Sequence, residues 1–327
     1  MKNTKKFYTF LFINFLFILI INYIVINNHG YINRMPKIIQ DIISINVIWD
    51  ELKNDNGESC NGHLDGCVFN KNFEKKVFII GDSLVGSLLY NLKNKLTKKK
   101  YQIYTYTKGG CILAPGFDVV DISTNKKSKS CNNEFFMKII KKINQSKDSI
   151  IIFGGLYGSY FNDYFTYMEN NKLVKKKSLS KYVRSGNFNT VEESFLNTIN
   201  KLKDNNKIIL IYPIPEVGYD VKNKLLQKII KEKDYSSLKI EDYITISYKF
   251  FLEKQDHVFN ILNSLSNENI YRVYPHKLFC NKEIINKCIT HDKNNIYYYD
   301  GFHLSNIGAE RVNNLIINKI NRIENIN

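Results

Sequence analysis

The chain begins with a short basic stretch and passes at once into an apolar run, FYTFLFINFLFILIINYIVIN (residues 7–27). Asn14 and Asn22 are its only strongly polar interior residues. A run of this length spans a bilayer core as a helix, and a helix satisfies its own backbone groups in lipid. Residues 28–75 lose all period. Their stretch DELKNDNGESCNGHLDGC is polar and turn-rich, as in a linker or juxtamembrane cap. From residue 76 onward, short apolar runs alternate with segments of helical spacing. VFIIG (77–81), YQIYTYT (101–107), SIIIFGG (149–155), KIILIYP (207–213) and NIYRVYP (269–275) read as strands. Residues 83–96, 133–144, 191–202, 221–232, 240–264 and 305–323 read as helices, the last of them amphipathic. Strands alternating with helices predict an α/β fold with a mostly parallel sheet and right-handed crossovers. Ligands of such sheets bind beyond the carboxyl ends of the strands. Gly81-Asp82-Ser83, Gly109-Gly110 and Gly154-Gly155 fall there.

Composition refines this picture. With 44% hydrophobic and 13% aromatic residues and only five Pro, the chain can bury a real core. The formal charge of +16 raises the question of nucleic acid. The lysines are spread along the chain among Asn and Ile, and no nucleic-acid-binding motif accompanies them, so none is expected as a partner. Lys2, Lys5 and Lys6 before the apolar run predict a cytoplasmic N-terminus (1–6), a membrane span (7–27) and an exported remainder. The run is long for a signal peptide, and no A-x-A cleavage site follows it. Six cysteines, Cys60, Cys67, Cys111, Cys131, Cys280 and Cys288, agree with export to a disulfide-forming compartment. About 15 connectivities are open to six cysteines. The one local in sequence pairs Cys60 with Cys67, Cys111 with Cys131 and Cys280 with Cys288. The spacing shows no metal-ligand set, and no cofactor motif is present.

Two short motifs carry the candidate chemistry. Ser83 stands at a strand-to-helix turn, where free backbone N–H groups can stabilise an oxyanion. Asp300-Gly301-Phe302-His303-Leu304-Ser305 puts a carboxylate and an imidazole three residues apart, just before a helix. A serine hydroxyl needs such a base, and the base needs an acceptor that fixes its tautomer. Each motif by itself also suits a helix cap or a turn. Asp82 reads as a structural acceptor, His276 as a surface group, and Tyr297-Tyr298-Tyr299 as edge-strand packing. His29, His63 and His291 have no evident partner, and Pro213 and Pro215 end a strand.

Taken together, GDS after an early strand and D-x-x-H before the last helix resemble the SGNH (GDSL-like) hydrolases over roughly residues 76–323. A narrower resemblance is to the SGNH domain of membrane acyltransferase family 3. It rests on KGGCILAP with Cys131, IIFGGLYGSYF, IILIYPIPEVG, and LFCNKEIINKC followed by YYYDGFHLSNIGAERV. The resemblance implies a three-layer flavodoxin-like SGNH domain (76–327) with Ser83, Asp300 and His303 as catalytic residues. It also implies Cys111–Cys131 and Cys280–Cys288 bridges and O-acylation, chiefly acetylation, of a cell-envelope glycan. Esterase action by the same triad, or glycan binding by a degenerate site, are the alternatives. The expected location is the inner membrane, single-pass, with the C-terminal domain in the periplasm or extracytoplasmic space. Family 3 enzymes usually carry a multi-pass domain ahead of this one. With one span here, a separate multi-pass partner would bring the acyl group. No cofactor beyond an acyl donor is implied. Members of the wider family use a Gly and an Asn in the oxyanion hole. The third block, FGGLYGSYF, has no Asn at the expected place, and Asn162 comes only later. The backbone N–H groups of Ser83 and Gly110, with Gly155 as a third candidate, are the expected donors.

Overall fold

A computed structural model describes residues 2–44, 52–161, 164–169, 172–177, 180–232 and 244–325. It divides into two compact units, Met1–Ser44 with Leu226–Ser237, and Ile45–Leu225 with Leu238–Asn327.

In the first unit, helix α1 (Lys2–Asn27) carries the apolar run. Its segment Lys5–Asn27 has 23 residues and is apolar enough to cross a membrane. At about 1.5 Å per residue it is about 34 Å long, against a hydrocarbon core of about 30 Å. The two asparagines are accommodated locally. Asn14 Nδ2 donates to Phe10 O and Asn22 Nδ2 to Ile18 O, both at 2.8 Å. Helix α2 (Lys37–Ser44) follows a 3-10 turn at His29–Arg34.

The second unit is built in chain order as follows. Strand β1 (Cys67–Phe69) leads to β2 (Lys75–Gly81), helices α3 (Ser83–Gly86) and α4 (Leu89–Lys98), and β3 (Tyr101–Thr107). Next come β4 (Phe117–Asp121), α5 (Asn133–Asn144), β5 (Ser149–Gly154), β6 (Tyr164–Glu169), β7 (Lys172–Lys177) and β8 (Ser180–Arg184). Helix α6 (Val191–Leu202), β9 (Asn206–Ile211), α7 (Val221–Glu232, whose residues from Leu226 on belong to the first unit), β10 (Thr245–Ser247) and α8 (Tyr248–Ser264) follow. Strand β11 (Ile270–Val273), α9 (His276–Phe279), β12 (Lys287–Ile289) and α10 (Asn306–Glu324) complete it. The central sheet has the order β1-β3-β2-β5-β9-β11. All its neighbours are parallel except β1, which runs antiparallel to β3. Strand residues alternate between faces. Phe78, Ile80, Ile151, Phe153 and Leu210 join a core with Phe136 of α5, Phe195 of α6 and Leu262 of α8. Helix α10 packs with α4 and against β9 and β11. The sheet between two helical layers is the expected α/β arrangement, mostly parallel.

Three local readings differ from the structure. The segment taken as a linker contains β1, which pairs Cys67–Phe69 with Thr105–Ile103 of the sheet. Three residues are too few to show a strand period. The helix expected over 83–96 is broken between α3 and α4, where Ser87 Oγ donates back to Leu84 O at 2.7 Å. The helix expected over 240–264 begins only at Tyr248. Ser247 caps it by accepting from Phe250 N, and Thr245–Ser247 pair with β12. Residues 240–243 lie outside the described residues. Three disulfides form, Cys60–Cys67, Cys111–Cys131 and Cys280–Cys288.

Candidate active site

The site is assembled at the carboxyl ends of β2, β3 and β5. Gly81 ends β2 beside Gly154, and only a residue without Cβ fits there. An added Cβ would lie 2.3 Å from Gly154 O and 2.5 Å from Val85 Cγ2. Asp82 then caps α3, its Oδ1 accepting from Leu84 N at 2.8 Å. Its Oδ2 accepts from Leu156 N and from Tyr160 Oη, both at 2.7 Å. One buried carboxylate therefore ties the Ser83 turn to the loop after β5. Burial pushes the Asp82 carboxyl up. The bonds from Leu156, Tyr160 and Leu84 oppose that shift.

Ser83 opens α3 with its side chain toward the loop before α10. His303 Nε2 lies 2.9 Å from Ser83 Oγ, and His303 Nδ1 lies 2.6 Å from Asp300 Oδ2. Asp300 Oδ1 accepts from the backbone N–H groups of Phe302 and His303, each at 2.7 Å. Burial works to raise the Asp300 carboxyl. The His303 ring bond, its charge and the two backbone bonds outweigh this and hold it below its ordinary value. An ionised carboxylate only accepts hydrogen bonds. In the neutral ring Nδ1 must therefore carry the proton, and Nε2 accepts from the Ser83 hydroxyl. A hydroxyl so placed can lose its proton as it attacks an electrophile.

The expected oxyanion donors lie in separate turns. Gly109 and Gly110 follow β3, and Lys108 N donates to Gly81 O at 3.1 Å, which brings that turn beside the Ser83 turn. A Cβ on Gly109 would stand 3.9 Å from Ser83 Cβ, and Gly110 has φ +69° with open space before it. Gly155 sits against Asp82, where its Cβ would be 3.3 Å from the carboxylate. Asn162 lies outside the described residues. Among the described residues no group of three or more His, Cys, Asp or Glu could hold a metal ion.

Several side chains sit differently from their reading in the sequence. His276 is not a surface group. It is 4% exposed and packs among Tyr248, Phe251, Phe259 and Tyr274. Burial, with Lys277 nearby, pushes it down to about 4. His291 is buried and accepts from Ile244 N at 2.9 Å. His63 pairs with Glu58 at 3.1 Å. Tyr297 and Tyr298 are core residues rather than edge packing. Tyr160 and Glu216, which the sequence reading did not single out, both hold hydrogen bonds close to the motifs, part-buried for Tyr160 and buried for Glu216. No local spacing signals either one.

A Ser–His–Asp hydrogen-bonded series at the strand ends of an α/β sheet is the arrangement that serine hydrolases and acyltransferases use on several folds. Residues 51–318 match the family described as SGNH domain (fused to AT3 domains), and the chain belongs to that family. Among solved structures it resembles the periplasmic domain of the lipopolysaccharide acetyltransferase of Salmonella ser. Paratyphi A. The TM-score is 0.50 at 20% identity, covering 76% of this chain and 84% of that one. That likeness extends to the fold. A comparison with curated proteins found no match.

Proposed function

We propose that this protein is a serine-dependent O-acyltransferase that acetylates a cell-envelope glycan. In this reading α1 anchors it in the inner membrane and the SGNH domain works in the periplasm. The observation that carries the reading is the continuous hydrogen-bond series from Ser83 Oγ through His303 to Asp300, in a chain of the SGNH family. Ser83 Oγ attacks the acyl carbonyl carbon while its proton passes to His303 Nε2. The donor departs with that proton, leaving an acyl-serine. A sugar hydroxyl then gives its proton to His303 as its oxygen takes the acyl group, and His303 returns that proton to the departing Ser83 Oγ, regenerating the hydroxyl. Asp300 holds the ring and stabilises the imidazolium in both halves. The backbone N–H groups of Ser83 and Gly110 serve as donors to the developing oxyanion in this reading, with Gly155 as the third candidate. An acyl donor is required, and a multi-pass partner would supply it from the cytoplasmic side.

Two measurements test this. A fluorophosphonate probe should label the full chain in detergent but not Ser83→Ala. Labelling of neither would leave a glycan-binding role. With an acetyl ester and a glycan acceptor, acetate should appear on the glycan. Release of free acetate alone, whatever the acceptor, would favour an esterase.

A further inference from the structure

The loop after β9, Pro213–Tyr219, is fastened to the Asp300–His303 loop and to the segment just before it. Val217 N and Gly218 N both donate to Gly301 O, at 2.8 and 3.1 Å. Tyr298 Oη donates to Pro215 O at 2.8 Å. Gly301 itself is pressed so close that a Cβ would lie 2.9 Å from Tyr219 N. Between Pro215 and Val217 stands Glu216, with its carboxylate turned inward. Its side chain is 5% exposed. Oε2 meets Lys254 Nζ at 2.5 Å, and Oε1 accepts from Gln255 Nε2 at 2.8 Å. Lys254 and Gln255 are consecutive residues of α8, and Gln255 is 2% exposed.

A buried ion pair adds little net stability compared with apolar groups of the same shape. What it supplies here is location. A carboxylate held at both oxygens by adjacent residues of one helix fixes a short loop in position and orientation. Hydrophobic contact, which has no direction, would leave that loop free to slide. The fixed loop then presents two N–H groups to one carbonyl, Gly301 O, between Asp300 and His303. We infer that Glu216 is a positioning residue for the Asp300–His303 pair, acting from α8 through the Val217 and Gly218 N–H groups onto Gly301 O. The inference rests on the triad reading above. Catalytic groups must be held to within about 0.5 Å, and about 1 Å of misplacement costs about 100-fold in rate.

The test uses the full chain in detergent, with Glu216→Gln, the neutral double variant Glu216→Gln/Lys254→Met, and Ser83→Ala. Two quantities are read. The first is kcat and KM for p-nitrophenyl acetate, per folded molecule. The second is the low-field proton resonance of His303 Nδ1–H, assigned by its loss in His303→Gln. That resonance reports the bond to Asp300 whether or not catalysis uses it. Both Glu216 variants should lower kcat by about 10- to 100-fold with KM little changed, and should shift or broaden the resonance. Where Glu216→Gln does not fold, the neutral double variant carries the test. With Ser83→Ala inactive, either change without the other overturns the inference, as does an activity loss that disappears when counted per folded molecule. A wild-type spectrum without the resonance overturns it too, since no held bond then exists to be positioned. If Ser83→Ala keeps its activity while the Glu216 variants alter the resonance, positioning stands and the triad reading falls.

Discussion

Asp300→Asn is the sharpest perturbation of the site, because the turn dictates how an asparagine must sit. Asp300 Oδ1 accepts two backbone N–H groups at 2.7 Å, while Oδ2 accepts the ring proton of His303. An amide has one acceptor oxygen and one donor nitrogen. Turned with the nitrogen toward the backbone, it would face two donors. Turned the other way it keeps both turn bonds and points its NH2 at Nδ1. The second orientation wins. Nδ1 must then accept, the ring proton moves to Nε2, and Nε2 donates to Ser83 Oγ instead of accepting from it. The base is lost although every atom stays close to its native place. Such a tautomer error costs about 10^4-fold in kcat, or about 5.4 kcal/mol at about 1.36 kcal/mol per decade. Stability should fall by only about 1–2 kcal/mol, since one hydrogen bond to a charged group is exchanged. Hydrolysis of p-nitrophenyl acetate by the full chain, alongside thermal unfolding, measures both. The wild-type carboxyl is held below its ordinary value. Its stabilising contribution is therefore complete above the unfolded value, near pH 4, and disappears as pH falls through the lower native value. The Asn variant should lack that acid-side loss. A folded Asp300→Asn protein within tenfold of wild-type kcat would refute the tautomer argument and the role of His303 as base.

Other outcomes follow from the packing. Gly81→Ala puts a methyl group against Gly154 O and Val85. It should cost about 3 kcal/mol, seen as a lower urea midpoint, and displace the Ser83 turn. His276 takes up a proton only near pH 4 in the fold, against 6.5 for its ordinary value. The unfolded chain binds more protons between those values, so stability should drop as pH falls from about 6.5 to about 4. The drop should be no more than about 3 kcal/mol. His276→Phe should flatten that segment of the pH–stability curve, and an unchanged slope would count against the burial argument. Replacing Cys111 and Cys131 together by Ala opens a loop with a sequence separation of 20. This should lower unfolding free energy by about 3 kcal/mol, read by chemical denaturation.

The candidate site was legible in proportion to how local its contacts are. Asp300 and His303 meet within one turn, three residues apart, so their pairing can be read along the chain. The contact of His303 with Ser83 crosses 220 residues. It could be expected because both motifs fall at element ends that a parallel sheet gathers on one side, and because their order along the chain resembles that of the SGNH hydrolases. Tyr160 and Glu216 were not legible as site residues. Their partners, Asp82, Lys254 and Gln255, lie 78, 38 and 39 residues away. Most of the rings around His276 come from α8, which its own neighbours YPHKLF do not announce. The break between α3 and α4 was hidden for another reason. Leu84, Val85, Leu89, Leu92 and Leu96 are all buried, so the apolar spacing runs straight through the bend.

By itself the sequence determined what depends on period and on neighbours. A long apolar run makes α1 a helix able to cross a membrane, and alternating strand and helix patterns make an α/β domain. Short polar motifs at strand ends mark where chemistry can sit. The tertiary structure decided what depends on contacts across the chain. It recruited β1 to the sheet edge beside a disulfide and buried His276 among aromatic rings. It also turned Glu216 inward to α8 and brought His303 within 2.9 Å of Ser83. The division has one physical cause. Backbone preferences and hydrophobic period act over a few residues, whereas a hydrogen bond or a buried charge is defined by whatever group the folded chain brings to it.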